Sequence, residues 1–155
     1  MVEPSRIQEI SDRLEIQDLL SRYCTVIDYE RYDDLDYVFT QDAIIDYTAF
    51  GGIRGEVSEI KRWLAEALGQ FPMTQHVVNN FNITIEGDRA KSRCAFYNPM
   101  GLPLPEGKEG LMILFFGGYY NDTLVRTNDG WRISERIEEY GWQFGELPEG
   151  FGIPE

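Results

Sequence analysis

Two long strand-forming runs, Leu111–Thr127 and Trp131–Phe144, meet at Asn128-Asp129-Gly130, and this junction constrains the fold more than any other stretch. A turn of Asn/Asp-Gly type between such runs is a strong hairpin signal. A hairpin this long needs further strands, or a helical layer, to cover its apolar face. The preceding segments supply them. Ala90, Cys94, Phe96 and Asn98 alternate with Lys91 and Arg93, so the even positions point inward. From Thr74 to Glu86 the alternation slips phase: His76 and Val78 share one parity, Phe81, Ile83 and Ile85 the other. Such a slip predicts a bulge near Asn79-Asn80, and bulges re-aim side chains beside functional sites. Gly87-Asp88 turns the chain, and Pro99–Gly110, with three prolines and three glycines, reads as a long irregular loop.

Helical patterns occupy the first half. Ser5-Arg6-Ile7-Gln8 has the spacing of a capping box after Pro4, and Ile7, Ile10, Leu14, Leu20, Cys24 and Ile27 suggest one apolar stripe. A short helix should carry Tyr32, Leu35, Val38 and Phe39 on one side. Ala43–Thr48 reads as a strand turned by Gly51-Gly52, and Glu56–Leu68 as an amphipathic helix closed by Gly69. Helices first and long antiparallel strands afterwards predict an α+β domain spanning 1–155, its curved sheet wrapped as a cone around the helices and enclosing a pocket. The tail, Gly145–Glu155, carries Phe151 and Ile153, fit either to fold back over the pocket mouth or to fray as a terminus.

Composition narrows the function classes. The chain has 155 residues, 43% of them hydrophobic and 14% aromatic, enough for a core with room for a cavity. Its charge, 14 − 27 = −13, argues against nucleic acid and anionic membrane surfaces as partners. Two distant cysteines, Cys24 and Cys94, form no disulfide framework or CxxC metal site, and the N-terminal segment has no apolar core of a signal peptide. The expectation is a cytoplasmic chain with free, buried thiols. No run is long and apolar enough to span a bilayer.

His76 is the sole histidine, the side chain whose charge changes nearest neutral pH and so the natural general base. Asp28 continues the apolar stripe inward at the last turn of the first helix, where the helix dipole disfavours an acid. An inward carboxylate in that field needs a specific partner.

Asp28, Ile45-Asp46-Tyr47-Thr48-Ala49-Phe50, Thr74-Gln75-His76 and Asp129-Gly130-Trp131-Arg132-Ile133 together resemble the nuclear transport factor 2-like superfamily, and within it the SnoaL-like group that includes scytalone dehydratase and hexachlorocyclohexane dehydrochlorinase. The similarity runs from about Leu14 to Phe144. It implies a catalytic Asp–His pair at Asp28 and His76, a carbonyl-polarising tyrosine at Tyr47, a substrate-contacting asparagine at Asn121 and a pocket arginine at Arg136. The chain departs from both enzymes. Met100 stands near the dehydratase's second histidine, Ile27 where it has a tyrosine, and Tyr23 where the dehydrochlorinase has a lysine. The resemblance also implies a homo-oligomer, a trimer or alternatively a dimer.

In that scheme Asp28 fixes the tautomer of His76 and leaves the other ring nitrogen to take a proton. Tyr47, or Tyr23, donates to a substrate carbonyl as enolate charge develops. Arg136 holds a leaving group or a carboxylate, or simply neutralises Asp28 or Glu138. Asn98 and Asn121 orient polar groups, and Phe39, Trp63, Phe96 and Tyr140 form apolar walls. The set suits β-elimination from a small cyclic or aromatic compound, with no metal or organic cofactor. The same base would serve isomerisation, retro-aldol cleavage or a polyketide-type cyclisation. The other class is a non-catalytic ligand-binding or interaction domain, in which Asp28 and His76 are a structural pair.

Overall fold

A computed structural model describes residues 3–104, 108–148, 151–152 and 154. Its elements run α1 (Pro4–Asp28), a 3₁₀ segment (Tyr32–Tyr37), β1 (Phe39–Asp46), a second 3₁₀ turn (Thr48–Phe50), β2 (Arg54–Glu56), α2 (Val57–Leu68), β3 (Met73–Thr74), β4 (Val77–Glu86), β5 (Arg89–Pro103), β6 (Leu111–Thr127) and β7 (Gly130–Phe144). One mixed sheet has the order β2-β1-β7-β6-β5-β3, with β4 also on β5. All pairs are antiparallel except β1 with β7, which run parallel. The sheet curls around α1 and α2, the expected α+β half-barrel.

The β6–β7 hairpin turns at Asn128-Asp129, with Gly130 taking the positive φ (96°) that the turn requires. Phe96, Asn98 and Met100 on β5, and Tyr120, Asp122 and Leu124 on β6, point into the concave face. The phase slip in the third quarter of the chain is a bulge: β4–β5 register shifts between Asn79 and Asn82, and Asn80 has φ 52°.

Three expectations need correction. Pro99–Gly110 is not all loop, because β5 continues through Pro103. The Pro99 carbonyl accepts from the Gln75 N–H, so its missing N–H faces the same side, where the break between β3 and β4 leaves no strand to pair with. The capping box at Ser5 does not form; α1 starts on Pro4, whose absent N–H costs nothing in a first turn. A capping box caps α2 instead, through Glu56 and Glu59, and Gly69 after it stays right-handed. The apolar stripe of α1 also mixes two faces. Six positions separate Leu14 from Leu20, about 120° out of phase at 3.6 residues per turn. Ile7, Ile10 and Leu14 are accordingly exposed, while Ile16, Leu20, Tyr23 and Ile27 are sealed in the core.

The buried face of α1 begins instead at Asp12. Its carboxylate is clamped by both Arg126 η-nitrogens (2.7 Å each) and by the Trp131 indole N–H (3.3 Å). The Arg126 hydrogen bonds hold the Asp12 carboxyl down at about 2, against desolvation. The helix ends in a Schellman arrangement: Arg31 N–H bonds the Val26 carbonyl, Glu30 N–H bonds that of Ile27, and Glu30 sits left-handed at φ 54°. This stop fixes Asp28 as the last helical residue. A non-glycine residue there is strained by about 1–2 kcal/mol. Glu30→Gly should therefore raise stability by about 0.5–1 kcal/mol after the extra unfolded-state entropy of glycine, read as a higher denaturant midpoint; a lower one would show that the Glu30 side chain does something else.

Candidate active site

Asp28 and His76 meet at the seam where α1 ends and the chain breaks between β3 and β4. His76 Nδ1 lies 2.6 Å from Asp28 Oδ1, and the His76 backbone N–H donates to Oδ2 at 2.8 Å. Thr74 Oγ1 donates to the same carboxylate at 3.2 Å. A carboxylate only accepts, so Nδ1 carries a proton toward Asp28, and in that tautomer Nε2 is the accepting nitrogen. The Asn98 amide nitrogen sits 2.9 Å from Nε2 and donates to it. Asn98 Oδ1 is buried and has no partner among the described residues.

His76 and Asn98 open onto a cavity of about 110 Å³. A single water needs roughly 10–15 Å³ on this measure, so there is space for a small ring compound. Its walls are mostly apolar: Phe50, Trp63, Leu64, Phe71, Phe96, Met100 and Phe116, with Leu147 and Phe151 from the tail. The polar groups are Tyr23, Tyr47, His76, Asn98, Tyr120 and Glu138. The tail folds back: the Trp63 indole donates to the Pro154 carbonyl (2.7 Å), and Phe151 packs edge-on against Phe71. Ile153 lies outside the described residues.

Tyr23 and Tyr47 share a hydroxyl–hydroxyl hydrogen bond of 2.6 Å. Burial pushes the phenols of Tyr23, Tyr47 and Tyr120 well above their ordinary range, so all three are neutral and able to donate. Burial also pushes the thiols of Cys24 and Cys94 up to about 12, which removes them as nucleophiles.

Four expected pocket residues lie elsewhere. Arg136 is fully buried beneath the chamber, bound in a fork to Asp122 (2.7 and 2.8 Å) and held between the Tyr23 and Tyr120 rings, 4.1 Å from each centroid. Burial opposes its charge, but Asp122 outweighs that cost and holds the guanidinium well above its usual value. It therefore presents no face to a ligand in this arrangement. Asn121 points to the outer face, where it bonds Glu139. Its neighbours Tyr120 and Asp122 are the inward pair, and one residue along a strand changes the face. Phe39 packs edge-on behind Tyr23, inside the core. Tyr140 lies 53% exposed at the rim, over Phe50. Tyr23, Tyr47, Trp63, Phe96, Asn98 and His76 do come together around the cavity.

Thr74 and Glu138 join the site beyond the expected residues. Thr74 lies two residues before His76 in the Thr74-Gln75-His76 segment, and that proximity is its signal in the sequence. Glu138 shares parity with Arg136 on β7 and was read only as its counter-ion. Among the described residues no cluster of three or more His, Cys, Asp or Glu side chains could hold a metal ion, and no helix is long and apolar enough to cross a membrane.

A SnoaL-like domain model matches residues 8–137. The chain belongs to the SnoaL-like family. An uncharacterised Mycobacterium tuberculosis protein, Rv2910c, is 50% identical over 132 residues, 85% of this chain and 87% of the relative. Among solved structures, Kfla4162 from Kribbella flavida is 28% identical with a TM-score of 0.79, covering 88% of this chain and 95% of that one. A candidate scytalone dehydratase from Novosphingobium aromaticivorans and the protein LinA both reach a TM-score of 0.75 at 19% identity. They cover 93% and 97% of this chain, and 97% and 99% of their own. At that identity the last two share the fold of this SnoaL-like domain.

Two predictions follow from the buried charges. Arg136→Met should cost about 3–5 kcal/mol by stranding Asp122, whereas Arg136→Met with Asp122→Leu should recover most of it; denaturant unfolding reads both, and a mild single mutant would mean that Asp122 finds water. Burial pushes the Glu138 carboxyl up to about 8, against the pull of Arg136 and with help from the Asp46 charge. Between the ordinary glutamate range and about 8, the folded chain keeps a proton that the unfolded chain has released, so this group's contribution falls as pH rises. Thermal melts of Glu138→Gln should therefore gain on the parent protein across that window; parallel curves would contradict the assignment.

Proposed function

We propose that this SnoaL-like domain is a cofactor-independent lyase that takes a proton from carbon and expels a β-leaving group from a small, uncharged cyclic or aromatic compound. The observation that carries this reading is the His76 imidazole, held by Asp28 through Nδ1 with Nε2 at an apolar, tyrosine-lined chamber. Asp28 offsets the charge the ring acquires, and a positioned base of this kind contributes ~10²–10⁴-fold. Tyr47 donates to the substrate carbonyl oxygen as it becomes an enolate, with Tyr23 fixing its hydroxyl. Asn98 serves the base in both states. Its amide N–H holds the one lone pair of neutral Nε2 in the resting site, so it must turn away as substrate enters, and that half-turn presents the unpartnered Oδ1 to the protonated ring. Relatives of the same fold that carry dehydratase names add support at the level of reaction class.

Substituted cyclic ketones that release a conjugated enone give a direct ultraviolet assay. His76→Gln and Asp28→Asn should each lower turnover at least ~100-fold; His76→Gln should keep circular dichroism and melting close to the parent, whereas Asp28→Asn, which puts an amide among three donors, should stay folded but melt lower. Undiminished turnover in the His76 variant would remove the base. Deuterium uptake at the α-carbon without enone would turn the reading to an isomerase.

The domain also self-associates in this reading, through the convex face of the sheet. Tyr97, Phe115, Trp142 and Phe144 form a continuous aromatic patch there, with Tyr97 and Phe115 stacked at 5.8 Å and Phe144 69% exposed. Rings grouped this way on an otherwise strongly acidic protein mark an interaction surface. Light scattering should give the mass of a trimer, or of a dimer, and Trp142→Glu should reduce it to one chain; a monomeric parent protein would end this part of the proposal.

A further inference from the structure

The base-and-phenol scheme leaves Glu138 idle, although its side chain lines the same chamber. Strand alternation puts it on the concave face of β7 beside Arg136 and opposite Tyr120 of β6. Arg136 is committed in a fork to Asp122. Among the described residues no hydrogen bond or ion pair reaches the Glu138 carboxyl, and the residue is only part-buried, lining the cavity. A carboxylate withdrawn from water without a donor of its own is costly, so such a group keeps its proton. His76 belongs to the β3–β4 break on the β5 side, and β6 separates β5 from β7, so the two groups stand on different walls. One accepts a proton and the other holds one to give, the division of labour that acid–base sites achieve by setting two environments apart.

We propose that Glu138 is the general acid of this site, passing its carboxyl proton to the departing oxygen of a β-hydroxyl group while His76 removes hydrogen from the adjacent carbon. The assignment rests on the lyase reading and makes it specific: the substrate is an uncharged β-hydroxy carbonyl compound and the product an enone and water. The C–H electron pair becomes the new C=C bond, the C–O bond breaks with its electrons on oxygen, and the Glu138 proton completes the water molecule. His76 is left as imidazolium and Glu138 as carboxylate, and one proton moved from ring to carboxylate through solvent restores both. The groups facing Glu138 are Arg136 on β7, Tyr120 on β6, Tyr23 on α1, Tyr47 just past β1, and His76 across the chamber, while the charge of Asp46 at the end of β1 acts on it through space. Of these, Arg136 draws the proton off and Asp46 holds it on, burial being the larger influence.

The test uses 3-hydroxycyclohexanone and 3-acetoxycyclohexanone, which give the same enone. Acetate departs as an anion and needs no acid; hydroxide does. Glu138→Gln should slow the hydroxy ketone by at least ~100-fold and the acetoxy ketone by less than about threefold. The parent protein's rate on the hydroxy ketone alone should fall as pH rises through about 8. Carbon-13 titration of labelled glutamate, by difference from Glu138→Gln, should find this carboxyl protonated at neutral pH. Loss of its proton in the ordinary carboxylate range overturns the acid role whatever the kinetics show. Acetoxy turnover with no hydroxy turnover, or equal losses on both compounds, overturns the acid role and leaves the lyase standing. Failure of the parent protein on both overturns the lyase reading and this assignment with it.

Discussion

The structure turns on a single carboxylate that accepts three hydrogen bonds at the wrong end of a helix. Asp28 closes α1, where the carbonyl ends of the helix repel negative charge and no basic residue lies in the last turn. What holds it there is the seam opposite: the Thr74 hydroxyl, the His76 backbone N–H and the His76 ring. The seam exists because β3 and β4 both pair with β5 yet do not join, leaving Gln75 and His76 outside the ladders. That gap frees the His76 N–H for Asp28 and accommodates Pro99 in the neighbouring strand. The same few hydrogen bonds thus set how α1 crosses the sheet and which nitrogen of the only histidine is left to accept.

Beneath the chamber lies a second organising group of a different kind. Arg136 and Asp122 are both completely sealed from solvent, with tyrosine rings on two sides of the guanidinium. A buried pair of this type is weak evidence for net stability, since desolvation consumes much of the attraction. Its consequence here is rigidity and polarity. The cation fixes the rings of Tyr23 and Tyr120 from below, and Tyr23 in turn fixes the Tyr47 hydroxyl. A phenol positioned in this way is oriented as a donor before any ligand arrives.

The sequence made the architecture legible wherever period and turn chemistry agreed. The Asn128-Asp129-Gly130 hairpin, the even inward face of β5 and the bulge at Asn79-Asn80 all follow from rules local to a few residues. The Asp28–His76 meeting was also legible, because an acid on the apolar side of a helix end must find a partner. Asn121 was misplaced because a resemblance can be off by a single position, and one position in a strand is a whole change of face. Arg136 was given to the ligand because sequence shows a cation but not the carboxylate, fourteen residues away, that claims it. The strand character of Pro99 depended on a gap in a distant strand, which no local pattern records.

Glu138 was hidden for a related reason, and it shows what decides a carboxyl group's role. Asp28 and Glu138 serve one chamber. The first is met by three donors, so its oxygens are occupied as acceptors and it orients a ring. The second receives no hydrogen bond from Arg136, whose Nε and Nη2 go to Asp122 and whose Nη1 has no partner among the described residues, and the Asp46 charge adds to the resistance to its ionisation. Both are acids on the inward side of their elements, the end of α1 and the concave face of β7. In the proposed reading, the number of donors that reach each carboxyl separates a positioning base partner from a proton donor, and that number is a property of the assembled fold, set by where the neighbouring donors are directed.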